Sequence, residues 1–220
     1  MNNDIFAAIK RQGMLPLYFH KSGQVSLNVL KALYSAGIRV VEYTNRGEEA
    51  LHNFKAIVEH KAKDFPGLLL GIGTIKNKED AEKYLDAGAD FLISPCYSKE
   101  IYKTVKSREA TWIPGCMTPT EINNAEQKGI RFIKLFPGNL LKPSFMSAIK
   151  DLFPQMDCMP TGGVDLSESN IREWFDSGVC AVGMGSGLIS KPLMEKADYN
   201  TIQSLTAQAL SLIQSIRNKP

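Results

Sequence analysis

In the stretch from Arg131 to Gly138, RFIKLFPG, a lysine stands inside an apolar run that breaks at Pro-Gly. Side chains alternate along a strand, so Phe132, Lys134 and Phe136 share one face while Ile133 and Leu135 take the other. If helices cover Ile133 and Leu135, the amine of Lys134 projects inward between two aromatic neighbours. Loss of solvation there works against the ammonium form and leaves a nucleophile. The alternative is a lysine that snorkels to water from the strand end, or pairs structurally with a carboxylate. The strand alone leaves both open. Glu42, in VVEYT (40–44), repeats the pattern of a charge closing an apolar run, with Val40 on the same face. A carboxylic acid beside an amine nucleophile can move protons during imine formation and the steps after it.

Further chemistry-bearing residues close other apolar runs. Arg46 and Thr74 suit a substrate carboxylate, because the guanidinium is a planar two-pronged donor; Arg46 equally reads as a solvated loop residue. Thr161-Gly162-Gly163 and Gly183-Met184-Gly185-Ser186 follow the last two runs, where backbone N–H groups and a short helix N-terminus suit a phosphate, although glycine also makes ordinary tight turns. His20, His52 and His60 have no ligand spacing, so no metal site is expected. Cys96 and Cys116 read as small residues at the rim.

The elements that must position these residues follow one grammar: an amphipathic segment, a glycine, a short apolar run, then small or polar residues. The copies are AGIRVVEYTNR (36–46), PGLLLGIGT (66–74), AGADFLISP (87–95), KGIRFIKLFPG (128–138) and SGVCAVGMGS (177–186). Glycine suits the left-handed residue ending a helix, and the apolar run suits a strand covered on both faces. With weaker copies at MLPLYF, TWIPG and MDCMPTGG, strands are expected to begin near residues 14, 38, 68, 90, 111, 131, 157 and 179. Helices are expected over 25–36, 48–61, 78–87, 118–128 and 167–176, with a closing helix over 201–216. The fold expected is α/β, a (β/α)₈ TIM barrel in one domain spanning 1–220, with an extra N-terminal helix over 4–12 covering the bottom. An open doubly wound sheet fits less well, since it more often has five or six strands. In such barrels the C-terminal strand ends carry the chemistry, which gathers Glu42, Arg46, Thr74, Lys134, Phe136 and the two glycine clusters at one mouth.

Composition narrows the partners. A chain that is 44% hydrophobic and 22% charged is that of an ordinary globular protein. Net charge is +3 with the basic residues scattered, so no nucleic acid partner is expected. No apolar run approaches a membrane span, the N-terminus has no apolar signal core, and the four cysteines form no CxxC pair. These features point to a reduced, cytoplasmic protein without membrane contact.

Taken in order, EYTNR (42–46), GIGT (71–74), ISP (93–95), IPG (113–115), IKLFPG (133–138), PTGG (160–163) and GMGS (183–186) resemble the 2-keto-3-deoxy-6-phosphogluconate aldolase family, which includes 4-hydroxy-2-oxoglutarate aldolases. The resemblance covers essentially the whole chain. It implies a metal-free class I aldolase, needing no cofactor, commonly a homotrimer, that acts on a small keto acid and gives pyruvate as one product. By resemblance Lys134 forms the Schiff base and Glu42 is the general acid/base. Arg46, Thr74, Pro95 and Thr161 surround the pyruvyl carboxylate, Phe136 packs against the imine, and Gly162, Gly163, Gly185 and Ser186 take a distal phosphate. One departure stands out. Where many members have a valine-rich first strand followed by an arginine, this chain has LPLYFHKSG (15–23), in which Tyr18 and Phe19 could narrow the site, or His20 and Lys21 replace a cation. Two readings compete with the aldolase: a phosphosugar isomerase or epimerase on the same barrel, which needs no imine and hence no Lys134, and a non-catalytic sugar-phosphate binding protein.

Overall fold

A computed structural model describes residues 2–218. Met1, Lys219 and Pro220, which the expected domain includes, lie outside the described residues. Helices and parallel strands alternate throughout. The strands are β1 (Met14–Tyr18), β2 (Val40–Thr44), β3 (Leu69–Gly73), β4 (Phe91–Ile93), β5 (Thr111–Ile113), β6 (Gly115–Cys116), β7 (Phe132–Leu135), β8 (Asp157–Pro160) and β9 (Val182–Met184). The helices are α1 (Asn2–Gln12), α2 (Gly23–Ser35), α3 (Ala50–Asp64), α4 (Lys78–Asp86), α5 (Lys99–Ser107), α6 (Pro119–Gln127), α7 (Gly138–Ile149), α8 (Glu168–Asp176), α9 (Lys191–Glu195) and α10 (Tyr199–Arg217).

Six strands form one sheet in the order β5-β4-β3-β2-β1-β9, and three form a second, β6-β7-β8. The expected fifth strand is thus two short ones either side of Pro114, whose ring leaves no N–H for a ladder bond. Its carbonyl still accepts from the Lys134 N–H at 2.9 Å, which ties the first sheet to the second. A bridge from Thr161 to Gly183 joins them at the other side.

Inward and outward residues separate as alternation requires. Leu15, Val40, Phe91, Ile93, Ile113, Phe132, Met159 and Ala181, drawn from both sheets, form one apolar cluster. Ile5, Ala8 and Ile9 of α1 complete it, and Phe6 stacks on Phe132 with ring centroids 5.1 Å apart. The N-terminal helix therefore does cover this interior. Lys10 pairs with Asp157 at 2.8 Å, and the Gln12 amide donates to the carbonyls of Met14 and Val40, which fixes the helix to the strands' N-terminal ends. Ile133, Leu135, Val41 and Tyr43 face the other way, into a larger cluster with the helices.

Helix starts follow local chemistry. Ser22, Asn77, Ser98, Thr118, Ser167 and Ser190 each accept from a first-turn backbone N–H, and Thr118 with Glu121 forms a reciprocal capping box. Pro143 lies inside α7, and the residue before it, Lys142, leaves the helical region at φ 62° and ψ 166°. The clash between a proline ring and the preceding backbone keeps Lys142 out of the helical region, though it does not dictate the positive φ. Among the described residues no helix is long and apolar enough to cross a membrane.

Candidate active site

Strand alternation brings Lys134 of β7 and Glu42 of β2 to the same interior, above the apolar layer of Phe132 and Val40. Lys134 is 4% exposed and Glu42 1%, so water reaches neither freely. The Lys134 Nζ lies 3.7 Å from the Glu42 Oε1. That is an ion-pair separation, too long for a hydrogen bond. Neither Glu42 oxygen has a hydrogen-bond partner, a state buried polar groups rarely hold without reason. Burial raises the Glu42 carboxyl above its ordinary range, against the opposing pull of the Lys134 and Arg46 charges. The amine also sits 5.2 Å from the centroid of the Phe136 ring, within reach of a cation–π contact.

Glycines make the room around this pair. A Cβ on Gly73 would overlap the Glu42 carboxylate, and one on Gly183 would overlap the Thr161 hydroxyl. Gly115, level with Lys134 in the ladder, stands directly against the Pro95 carbonyl. A Gly73→Ala protein is accordingly expected to lose about 1–3 kcal/mol of stability, the usual cost of overpacking. A lower urea midpoint shows it, and an unchanged midpoint contradicts the packing described.

The other expected residues fall into place unequally. The Thr161 hydroxyl is buried without a hydrogen-bond partner. Thr74 is half-buried and takes φ 63°, a conformation rare for a residue with a Cβ. Arg46 is exposed, yet close enough for its charge to act on Glu42. Gly162 and Gly163 both have positive φ, 91° and 72°, and their turn packs on the start of α7, where the Gly138 N–H donates to the Thr161 carbonyl at 2.8 Å. Asn139 presses against Gly163 with its Cα 2.8 Å from where a Cβ would stand. Gly185 opens a turn whose carbonyl accepts from Leu188 and Ile189, and Ser186 is exposed. Sequence reasoning passed over Asn139 and Gly73, and it read Gly183 only as part of a phosphate loop, whereas its missing side chain also makes room for the Thr161 hydroxyl.

Of the two readings of the first-strand end, the structure bears on the narrowing by Tyr18. Tyr18 faces the helices, where its hydroxyl donates to the Ser26 carbonyl at 2.8 Å and its ring meets Tyr43 edge-on. It does not narrow the site, because it takes the outward phase of β1 while Leu17, level with Glu42, takes the inward one. His20 accepts through Nδ1 from the Ser22 N–H at 3.0 Å, so its ring serves the loop. Lys21 is exposed, and Phe19 packs against Tyr43 and over Gly47.

A buried amine beside a buried carboxylate that no hydrogen bond engages is an arrangement suited to imine chemistry. The sequence profile described as "Aldolase: KDPG and KHG aldolase" matches residues 5–205. The chain belongs to that family. As a member of the KDPG and KHG aldolase family it is a lyase. It is 30% identical over 211 residues to the 2-dehydro-3-deoxy-phosphogluconate aldolase of Treponema pallidum, covering 95% of this chain and 97% of that one. It is 31% identical over 199 residues to the KHG/KDPG aldolase of Escherichia coli K12, covering 90% of each. Among solved structures it superposes with a TM-score of 0.85, at 25% identity over 94% of this chain and 97% of the other, on the Legionella pneumophila KDPG aldolase with pyruvate captured as a covalent carbinolamine. That aldolase shares the α/β architecture of parallel strands found here.

Proposed function

We propose that the protein is a class I aldolase that cleaves a 2-keto-3-deoxy sugar acid to pyruvate and an aldehyde through a Schiff base on Lys134. The observation that carries this reading is the Lys134 amine, 4% exposed and 3.7 Å from a carboxylate oxygen that no hydrogen bond engages. The neutral amine attacks the C2 ketone, and the carbinolamine hydroxyl leaves as water with a proton from Glu42, giving a protonated imine and leaving Glu42 as the carboxylate. Glu42 takes the C4 hydroxyl proton, directly or through water. The C3–C4 bond then breaks, its electron pair moving into the iminium to form an enamine while the aldehyde leaves. Glu42 returns a proton to C3, and water hydrolyses the imine to release pyruvate and the amine. Glu42 suits both tasks because burial brings its carboxyl toward the working pH.

Around that chemistry, Arg46, Thr74, Pro95 and Thr161 hold the pyruvyl carboxylate, and Phe136 packs against the imine. Gly162, Gly163, Gly185 and Ser186 take a distal phosphate. The substrate proposed is 2-keto-3-deoxy-6-phosphogluconate or 4-hydroxy-2-oxoglutarate, the two acids whose aldolases the relatives' names join. The two sheets act as one closed eight-unit barrel in a single domain, the assembly is a homotrimer, and the protein works in the cytoplasm without a cofactor. An isomerase reading fits less well, since it gives the buried amine nothing to do.

Borohydride added with pyruvate is expected to fix the reduced pyruvyl group on one lysine, which peptide mass mapping places at Lys134. Label on another lysine, or none, overturns the aldolase reading.

A further inference from the structure

Asn45 lies between the end of β2 and Arg46 and engages three partners across the gap to the next strand and helix. Its backbone N–H donates to the Gly73 carbonyl at 2.9 Å. Its side-chain amide donates to the Asp80 Oδ2 at 3.3 Å and accepts from the Tyr84 hydroxyl at 2.9 Å. Asp80 is itself held: its Oδ2 accepts from the Asn77 amide at 3.0 Å, and its own N–H donates to the Asn77 Oδ1 at 2.7 Å. Tyr84 is 1% exposed, so its hydroxyl answers to this network and not to water.

The neighbours of these atoms are what matter. Arg46 follows Asn45, and its charge acts on Glu42. Thr74 follows Gly73 and is held at φ 63°, a conformation that persists only where its surroundings over-determine it. Asn45 and Gly73 thus join, through one backbone bond, the two loops that carry Arg46 and Thr74, and the Asp80–Tyr84 clamp fixes both loops to α4, Asp80 in its first turn and Tyr84 in its last. We infer that Asn45, clamped by Asp80 and Tyr84, is a positioning residue that sets Arg46 and Thr74 for the carboxylate of the keto acid. This rests on the aldolase reading above and goes beyond it, because it assigns Asn45 a role exerted through Arg46 and Thr74 and not on the reacting atoms.

The test follows borohydride trapping by the full chain across a pyruvate series. Asn45→Leu keeps the bulk and removes both side-chain bonds. Its half-saturating pyruvate is expected to rise roughly tenfold, the scale of losing such bonds at a site, with the limiting trapping rate within about twofold of wild type. Asn45→Asp sets a carboxylate against Asp80 and is expected to show a similar rise. Adding Asp80→Asn to it exchanges the two groups, restores the network, and is expected to bring half-saturation back to within about threefold of wild type. A merely structural Asn45 would lower the melting temperature and leave half-saturation, read well below that temperature, unchanged. That result overturns the inference, as does a double exchange no better than Asn45→Asp alone. A wild-type chain that traps no pyruvate overturns the aldolase reading and this inference with it, whereas trapping by wild type with unshifted variants overturns this inference alone.

Discussion

Replacement of Lys134 by methionine is expected to lower turnover by at least about 10⁴-fold, the scale on which losing a covalent nucleophile falls, and to abolish pyruvate trapping altogether. Methionine keeps the length and apolar stem of the lysine while removing the amine, so the interior between Phe132 and Phe136 stays filled. Either change leaves Glu42 without its charge partner, but an alanine would add a void, and the resulting folding defect could mimic loss of chemistry. With methionine, a protein of wild-type circular dichroism that still cleaves substrate at more than a hundredth of the native rate removes Lys134 from the mechanism. The size of the effect follows from the role: without the imine there is no electron sink, and breaking the C3–C4 bond would leave an unstabilised carbanion.

The second large effect belongs to Glu42. Glu42→Gln preserves shape and removes the proton-transfer group, so kcat is expected to fall roughly 10²–10⁴-fold, with a much smaller change in pyruvate affinity. An unchanged kcat removes Glu42 from the acid/base role. The same substitution separates function from stability. Burial, the dominant influence, raises the Glu42 carboxyl in the folded chain, so the folded state holds that proton at pH values where the unfolded chain has released it. Its contribution to stability is complete below the unfolded value of about 4.3 and is lost as pH rises through the folded value. The stability of Glu42→Gln relative to wild type is therefore expected to increase as pH rises past that range. A difference that stays flat with pH, in urea midpoints, contradicts a raised carboxyl. Such a cost at neutral pH is what a site that keeps a buried carboxyl for catalysis should show.

Most of the architecture was legible because hydrophobic period and punctuation act locally. Strands expected near residues 14, 111 and 157 begin at those residues, and those expected at 38 and 179 begin two and three residues later, at Val40 and Val182. The helix starts expected at 78, 118 and 167 fall within a residue of those observed, where the side chains of Asn77, Thr118 and Ser167 cap the first turn. The division of the fifth strand at Pro114 was less legible, since TWIPG reads as a strand with a turn after it. Helices α5 and α7 had no clear boundary in the pattern, and in α7 the Lys142-Pro143 break explains why.

For the site, Lys134 and Glu42 announced themselves because a charge inside an apolar run is costly and local alternation states which way it points. Tyr18 failed as a wall of the site for the same reason seen from the other side: one residue of phase moves a side chain from the interior to the helix layer. By itself the sequence determined the alternating elements, the inward phase of Lys134 and Glu42, and the residue types available for imine chemistry, since each depends on neighbours within a few positions. Only the tertiary structure decided that residues 92 positions apart meet at 3.7 Å, that Gly73 leaves space for one carboxylate, and that Asn45 ties two loops to α4. Those distances depend on how neighbouring strands are staggered and packed, which no periodicity within a single segment encodes.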